Sequence, residues 1–166
     1  NTSNTNMPFL VEGNTFKNIM VYYYSYTFYM YYDYIVDLKG NTIDNLRCYT
    51  SGYSCYPFYI NYGSDYNITF NTVKNCYFGE AGTGYAYTFY LYYNWSGYYF
   101  YATQFYYYSS WSINRNKITK NTTASNQGYF YGLYCYYLYN LDVTSNIIAD
   151  NYGYYGNYNV YSYNYN

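Results

Sequence analysis

Residues 131–148 read YGLYCYYLYNLDVTSNII, and residues 101–118, thirty positions earlier, read YATQFYYYSSWSINRNKI. Aligned, both begin with Tyr and a small residue, continue to Phe or Cys, and then give Tyr-Tyr. Both end in an apolar residue, two others, Asn, one other and Ile. A match that covers special positions as well as apolar ones is the mark of a structural repeat, which must be settled before any site is considered.

The closing form recurs along the chain. It appears as Val11 to Phe16, Leu38 to Ile43, Ile68 to Val73, Ile113 to Ile118 and Val143 to Ile148. The central residues are Asn14, Asn41, Asn71, Asn116 and Asn146, at steps of 27, 30, 45 and 30. The step of 45 has room for two shorter turns, so a degenerate repeat is expected near 94–103. About six coils result, each within the ~20–45 residues of a solenoid unit.

Between the Asn positions lie alternating stretches such as 24–33, YSYTFYMYYD, and 85–94, YAYTFYLYYN. Tyr, Phe and Thr favour strands, and no stretch keeps a helical period. Phe28, Cys55, Phe89, Phe105 and Cys135 are expected to form an inward core column, with Phe16, Ile43, Val73, Ile118 and Ile148 forming another. An Asn once per coil fits a bend: Asn tolerates the left-handed backbone region, and its amide bonds to nearby backbone. Stacked in register, such amides also bond to one another.

Apolar-x-x-Asn-x-apolar, with Gly-Leu-Tyr or Gly-Tyr strands between, resembles the right-handed parallel β-helix repeat. That repeat occurs in pectate-lyase-like folds, periplasmic copper-site assembly proteins, alginate epimerases and surface adhesins. The resemblance runs from Val11 to about Asn166 and implies one all-β domain over residues 1–166. The tyrosine excess departs from the usual pattern, in which aliphatic residues dominate the strands. The fold hosts enzymes, adhesins and spikes, so the resemblance by itself assigns no function.

Composition narrows the choice. Of 166 residues 39 are Tyr, 9% are charged, and the net charge is -1. No basic footprint for nucleic acid exists. No apolar run approaches the ~20 residues of a membrane-spanning helix. The chain opens at Asn1 without Met, as a processed chain or a fragment would. Histidine, the commonest general base and transition-metal ligand, is absent. The carboxylates Glu12, Asp33, Asp37, Asp44, Asp65, Glu80, Asp142 and Asp150 include no adjacent pair. Neither a catalytic site nor a metal or other cofactor is expected.

Cysteines occupy positions 48, 55, 76 and 135, without a C-x-x-C pattern. Cys48 and Cys76 follow their repeat Asn by 7 and 5 residues in neighbouring coils, which leaves a disulfide between them open beside buried free thiols. Sequons start at Asn1, Asn67, Asn94 and Asn121; the last three, spaced near one coil apart, are candidate N-glycosylation sites. Outward tyrosine rows would suit lateral packing, sugar stacking or covalent cross-linking. Neither terminus carries a polar cap, which a solenoid needs to close its open strand edges.

The expectation is a non-enzymatic extracellular or cell-surface structural glycoprotein that self-assembles head to tail into a filament. A carbohydrate-binding adhesin with an exposed Tyr ladder is the alternative. A polysaccharide lyase or epimerase would require Asp33, Asp37 or Asp142 to gather with Lys or Arg.

Overall fold

A computed structural model describes residues 9–22, 25–31, 35–49, 55–63, 65–79, 84–94, 111–123, 128–136, 138 and 140–163. Every ladder between the described strands is parallel, and the strands fall on three faces. The first face carries β1 (Phe9–Glu12), β4 (Ile35–Lys39), β7 (Asp65–Thr69), β11 (Trp111–Asn114) and β15 (Leu141–Thr144) in sequence order. The second carries β2 (Thr15–Val21), β5 (Thr42–Cys48), β8 (Thr72–Lys74) with β9 (Tyr77–Phe78), β12 (Lys117–Thr119) with β13 (Thr122–Thr123), and β16 (Ile147–Ala149). The third carries β3 (Ser25–Tyr31), β6 (Cys55–Gly63), β10 (Gly84–Asn94), β14 (Gly128–Tyr136) and β17 (Gly156–Tyr163). The chain is a parallel β-solenoid.

Two bends with left-handed backbone separate the first face from the second and divide the second. The first bend falls on Gly13, Gly40, Phe70, Arg115 and Ser145, all with φ between 54° and 70°. The second falls five residues later, on Asn18, Asn45, Asn75, Lys120 and Asp150. The repeat Asn itself is not the left-handed residue; the residue before it is. That division has a physical reason. The left-handed residue projects outward at the corner, where Phe70 and Arg115 lie exposed with the guanidinium 5.3 Å from the ring centroid. The following Asn turns its amide inward.

Four successive Asn-to-Asn steps, 14 to 41, 41 to 71, 71 to 116 and 116 to 146, give four turns instead of six. Among the described residues no further coil stands between those of Asn71 and Asn116. Here β7 pairs directly with β11, and β10 lies directly between β6 and β14. The 45-residue step is one turn enlarged by 15 residues over its 30-residue neighbours. Since Asn94 pairs with Gly63 and Trp111 with Tyr66, 14 of the 15 extra residues fall between β10 and β11, a span that includes Thr103 and is outside the described residues.

Register builds the core. On the first face Val11, Leu38, Ile68, Ile113 and Val143 align; on the second Phe16, Ile43, Val73, Ile118 and Ile148 do. On the third face Phe28, Phe58, Phe89, Leu133 and Val160 align, and the three Phe rings stack at 4.6 and 4.3 Å. Phe28, Cys55, Phe89 and Cys135 are all buried, but they are not one column. Cys55 pairs with Ser25, while Cys135 belongs to the next inward row with Met30, Ile60 and Leu91. Phe105 is outside the described residues. The sequence alignment had joined rows that lie two or three residues apart on one strand.

The Asn amides close the stack. Each of Asn14, Asn41, Asn71 and Asn116 donates both its backbone N–H and its Nδ2–H to Oδ1 of the Asn one coil on, at 2.9–3.1 Å. From Asn41 onward Nδ2 also donates to a carbonyl of the preceding coil: Val11, Leu38, Ile68 and Ile113 in turn, at 2.7–2.8 Å. A buried amide with its hydrogen bonds made stabilises modestly, but removing one strands its partners. Asn71 is buried and its side-chain amide serves four such bonds, whereas Asn14 is exposed at the end of the row. Asn71→Ala is therefore expected to cost about 3 kcal/mol and Asn14→Ala less than about 1 kcal/mol, read as the difference in denaturant unfolding free energy.

Candidate functional site

Three surfaces or clusters could carry function: the second bend, the cysteines, and the outward side of the third face. At the second bend the residue after the left-handed position is Ile19, Leu46, Cys76, Asn121 or Asn151. The last two repeat the chemistry of the first bend. Asn121 donates Nδ2–H to Asn151 Oδ1 at 2.9 Å and to the Val73 carbonyl at 3.2 Å, while its own Oδ1 accepts the Cys76 backbone N–H at 3.0 Å. This second, shorter Asn row was not anticipated. Its signal was present as Asn five residues after Asn, in 116–121 and 146–151.

That row corrects one glycosylation expectation. Asn121 is fully buried with its amide committed to three partners, so it cannot carry a glycan in the folded chain. Asn67 is exposed in the middle of β7, on the outer side of the first face, while Ile68 and Thr69 of its sequon are buried. Asn94 ends β10 with its backbone paired to Gly63. Asn1 lies outside the described residues.

The disulfide also differs from expectation. Cys48 joins Cys55, not Cys76, with Cα atoms 6.3 Å apart across the corner from β5 to β6. Register explains it: the residue paired with Cys48 in the next coil is Phe78, while Cys76 stands two positions earlier, in the second Asn row. Cys76 and Cys135 are free and buried. Burial pushes the Cys76 thiol up to about 12, helped by the nearby Asp44 charge, and burial alone pushes Cys135 up to about 12.

The carboxylates are spread over the surface. Asp37 and Asp142 share an outward row of the first face, separated by Asn67 and Ser112. Asp44 receives Lys17 and Lys74 at 3.9 and 3.6 Å, and Glu12 meets Lys39 at 3.1 Å. Asp33 and Glu80 are outside the described residues. Among the described residues no three His, Cys, Asp or Glu stand close enough to hold a metal ion.

The outward side of the third face is a tyrosine platform. One row runs through Tyr29, Tyr59, Tyr134 and Tyr161, with the backbone of Tyr90 in register between Tyr59 and Tyr134, and the next through Tyr31, Asn61, Tyr92, Tyr136 and Tyr163. Rings on successive rungs are nearly parallel: Tyr29 and Tyr59 at 5.4 Å and 8°, Tyr134 and Tyr161 at 5.1 Å and 4°, Tyr136 and Tyr163 at 5.2 Å and 16°. Tyr134 and Tyr136, neighbours along one strand, are also parallel at 5.9 Å. Stacked phenols thus turn ring faces toward one another along the solenoid and present edges outward.

No protein-family model, curated protein or solved structure matches the chain. The reading of function therefore rests on geometry.

The thiolate is the reactive form of cysteine, and thiols held near 12 are almost wholly protonated at pH 8. A disulfide-exchange reagent at that pH is expected to titrate no thiol in the native chain. After denaturation it should titrate the two free cysteines, and after reduction all four.

Proposed function

We propose that this chain is a non-enzymatic structural protein of the extracellular space or cell surface, with the coil of the pectate-lyase-like right-handed β-helices, that assembles lengthwise into a filament. The observation that carries the reading is the polarity of the Asn row. Between amides of the row, each Asn donates to the Asn of the next coil and accepts from the Asn of the previous one, so the two ends of the row are complementary. Among the described residues nothing donates to Asn14 Oδ1 at one end, and none accepts the Asn146 backbone N–H at the other.

The apolar rows end the same way. Interior members such as Leu38, Ile68, Ile43 and Leu133 are fully buried, yet Phe9 is 60% and Val160 48% exposed. Val11, Phe16 and Ile19 at one end and Leu141, Val143 and Ile148 at the other are only partly covered. A second copy placed end on would continue both the amide row and the apolar rows. Because the two ends differ, such a contact is heterologous, and it propagates as a filament when it does not close into a ring. The disulfide supports an oxidising compartment, where such bonds form and persist.

The adhesin reading, sugar rings on aromatic faces, draws on the same tyrosine platform. It is the weaker of the two, because rings stacked within a row offer edges in preference to faces.

Electron microscopy and sedimentation test the proposal. The chain is expected to form filaments one solenoid wide as its concentration rises. Val160→Lys places a charge on one end only, so the variant should not elongate alone and should cap wild-type filaments at low stoichiometry. Monomers at every concentration, or filaments indifferent to Val160→Lys, would contradict it.

A further inference from the structure

The tyrosine platform has a chemistry that lengthwise assembly does not use. Main-chain pairing sets Tyr29 beside Tyr59 and Tyr134 beside Tyr161, on strands about 4.8 Å apart. The phenols follow, with centroids 5.4 and 5.1 Å apart and planes within 8°. Tyr29 is 53% exposed and Tyr59, Tyr134 and Tyr161 are half-buried, so each pair reaches solvent. The buried aromatic stacks differ on this point: Phe28, Phe58 and Phe89 have no hydroxyl, and Tyr66 against Trp111 is closed to solvent.

We propose that the outward side of the third face is an oxidative cross-linking site, at which a haem peroxidase with hydrogen peroxide couples tyrosines on neighbouring rungs of one chain into dityrosine. Each of two phenols loses one electron and one proton. The resulting phenoxyl radicals join through a ring carbon beside each oxygen, forming one C–C bond. The hydrogen on each joined carbon leaves as a proton while a proton returns to each oxygen, restoring both phenols. One peroxide takes up the two electrons and two protons and departs as two waters.

Geometry decides which partner is met. A radical on an isolated surface tyrosine waits for another molecule to arrive by diffusion. A radical in this row already has a parallel phenol about 5 Å away, and prepositioned groups react at effective concentrations far above those of any dissolved protein. The product ties residues 30 or 27 positions apart, so it staples one coil to the next as a disulfide would. The inference does not depend on filament formation.

The test uses the full, monomeric chain at high dilution, treated with a haem peroxidase and hydrogen peroxide. Expected are dityrosine fluorescence, a mass lower by two hydrogens per link, and migration as a monomer under reducing conditions. Peptide mapping should join Tyr29 to Tyr59 and Tyr134 to Tyr161, and the treated chain should melt at a higher temperature. Tyr59→Phe with Tyr134→Phe keeps the rings but removes the phenols, so both joined peptides should disappear while the circular dichroism spectrum stays unchanged. Links formed only between chains, no dityrosine at all, or an equal yield of the same two joined peptides from the urea-unfolded chain would overturn the proposal.

Discussion

A buried side-chain amide left without partners is costly, and in this protein that cost is set at least once in every turn by an Asn of the first row. An unmade hydrogen bond inside the core costs more than a made one contributes. Asn41, Asn71 and Asn116 therefore fit only where an identical amide lies one coil ahead and a free carbonyl one coil behind. This requirement fixes the register of the first and second faces to the residue. A slip of one position would bury an unpaired amide and turn every inward side chain outward.

Once register is fixed, the other rows follow from it. Parallel pairing places like on like, so Phe stacks on Phe in the interior and Tyr on Tyr outside. Aromatic pairs of this kind each add roughly 0.5–1.5 kcal/mol beyond their buried area. Ion pairs add little beside this: among the described residues Lys17 and Lys74 meet Asp44, and Lys39 meets Glu12, through well-exposed ammonium groups. The disulfide adds a covalent tie at a corner that no Asn row reaches.

The solenoid was legible in the sequence because its strongest constraint writes one residue type at one position per turn. The apolar partner two residues after each Asn was legible for the same reason. The coil count was not, because the enlarged turn between Asn71 and Asn116 has the length of two small ones and only pairing of β7 with β11 shows it to be one. Nor was the disulfide: the register keeps one offset from Thr42 and Thr72 to Cys48 and Phe78, so Cys76 falls two positions short of Cys48, and the partner Cys55 lies across a corner that counting from each Asn does not describe. Asn121 looked like an accessible sequon because sequence cannot tell an outward Asn from one committed to a row. The third-face columns were merged where the two-residue alternation breaks: Tyr26 and Tyr29 are both exposed although three residues separate them. Function was the least legible, because among the described residues no His, Cys, Asp or Glu cluster marks a site.

Hydrogen exchange of the asparagine side chains, followed by NMR, reaches the amide row itself. The account predicts that the Nδ2 protons of Asn41, Asn71 and Asn116 exchange only through global unfolding, as slowly as the most protected backbone amides, while those of exposed Asn14 exchange rapidly. Exchange of the Asn71 side chain at the rate of Asn14 would contradict it.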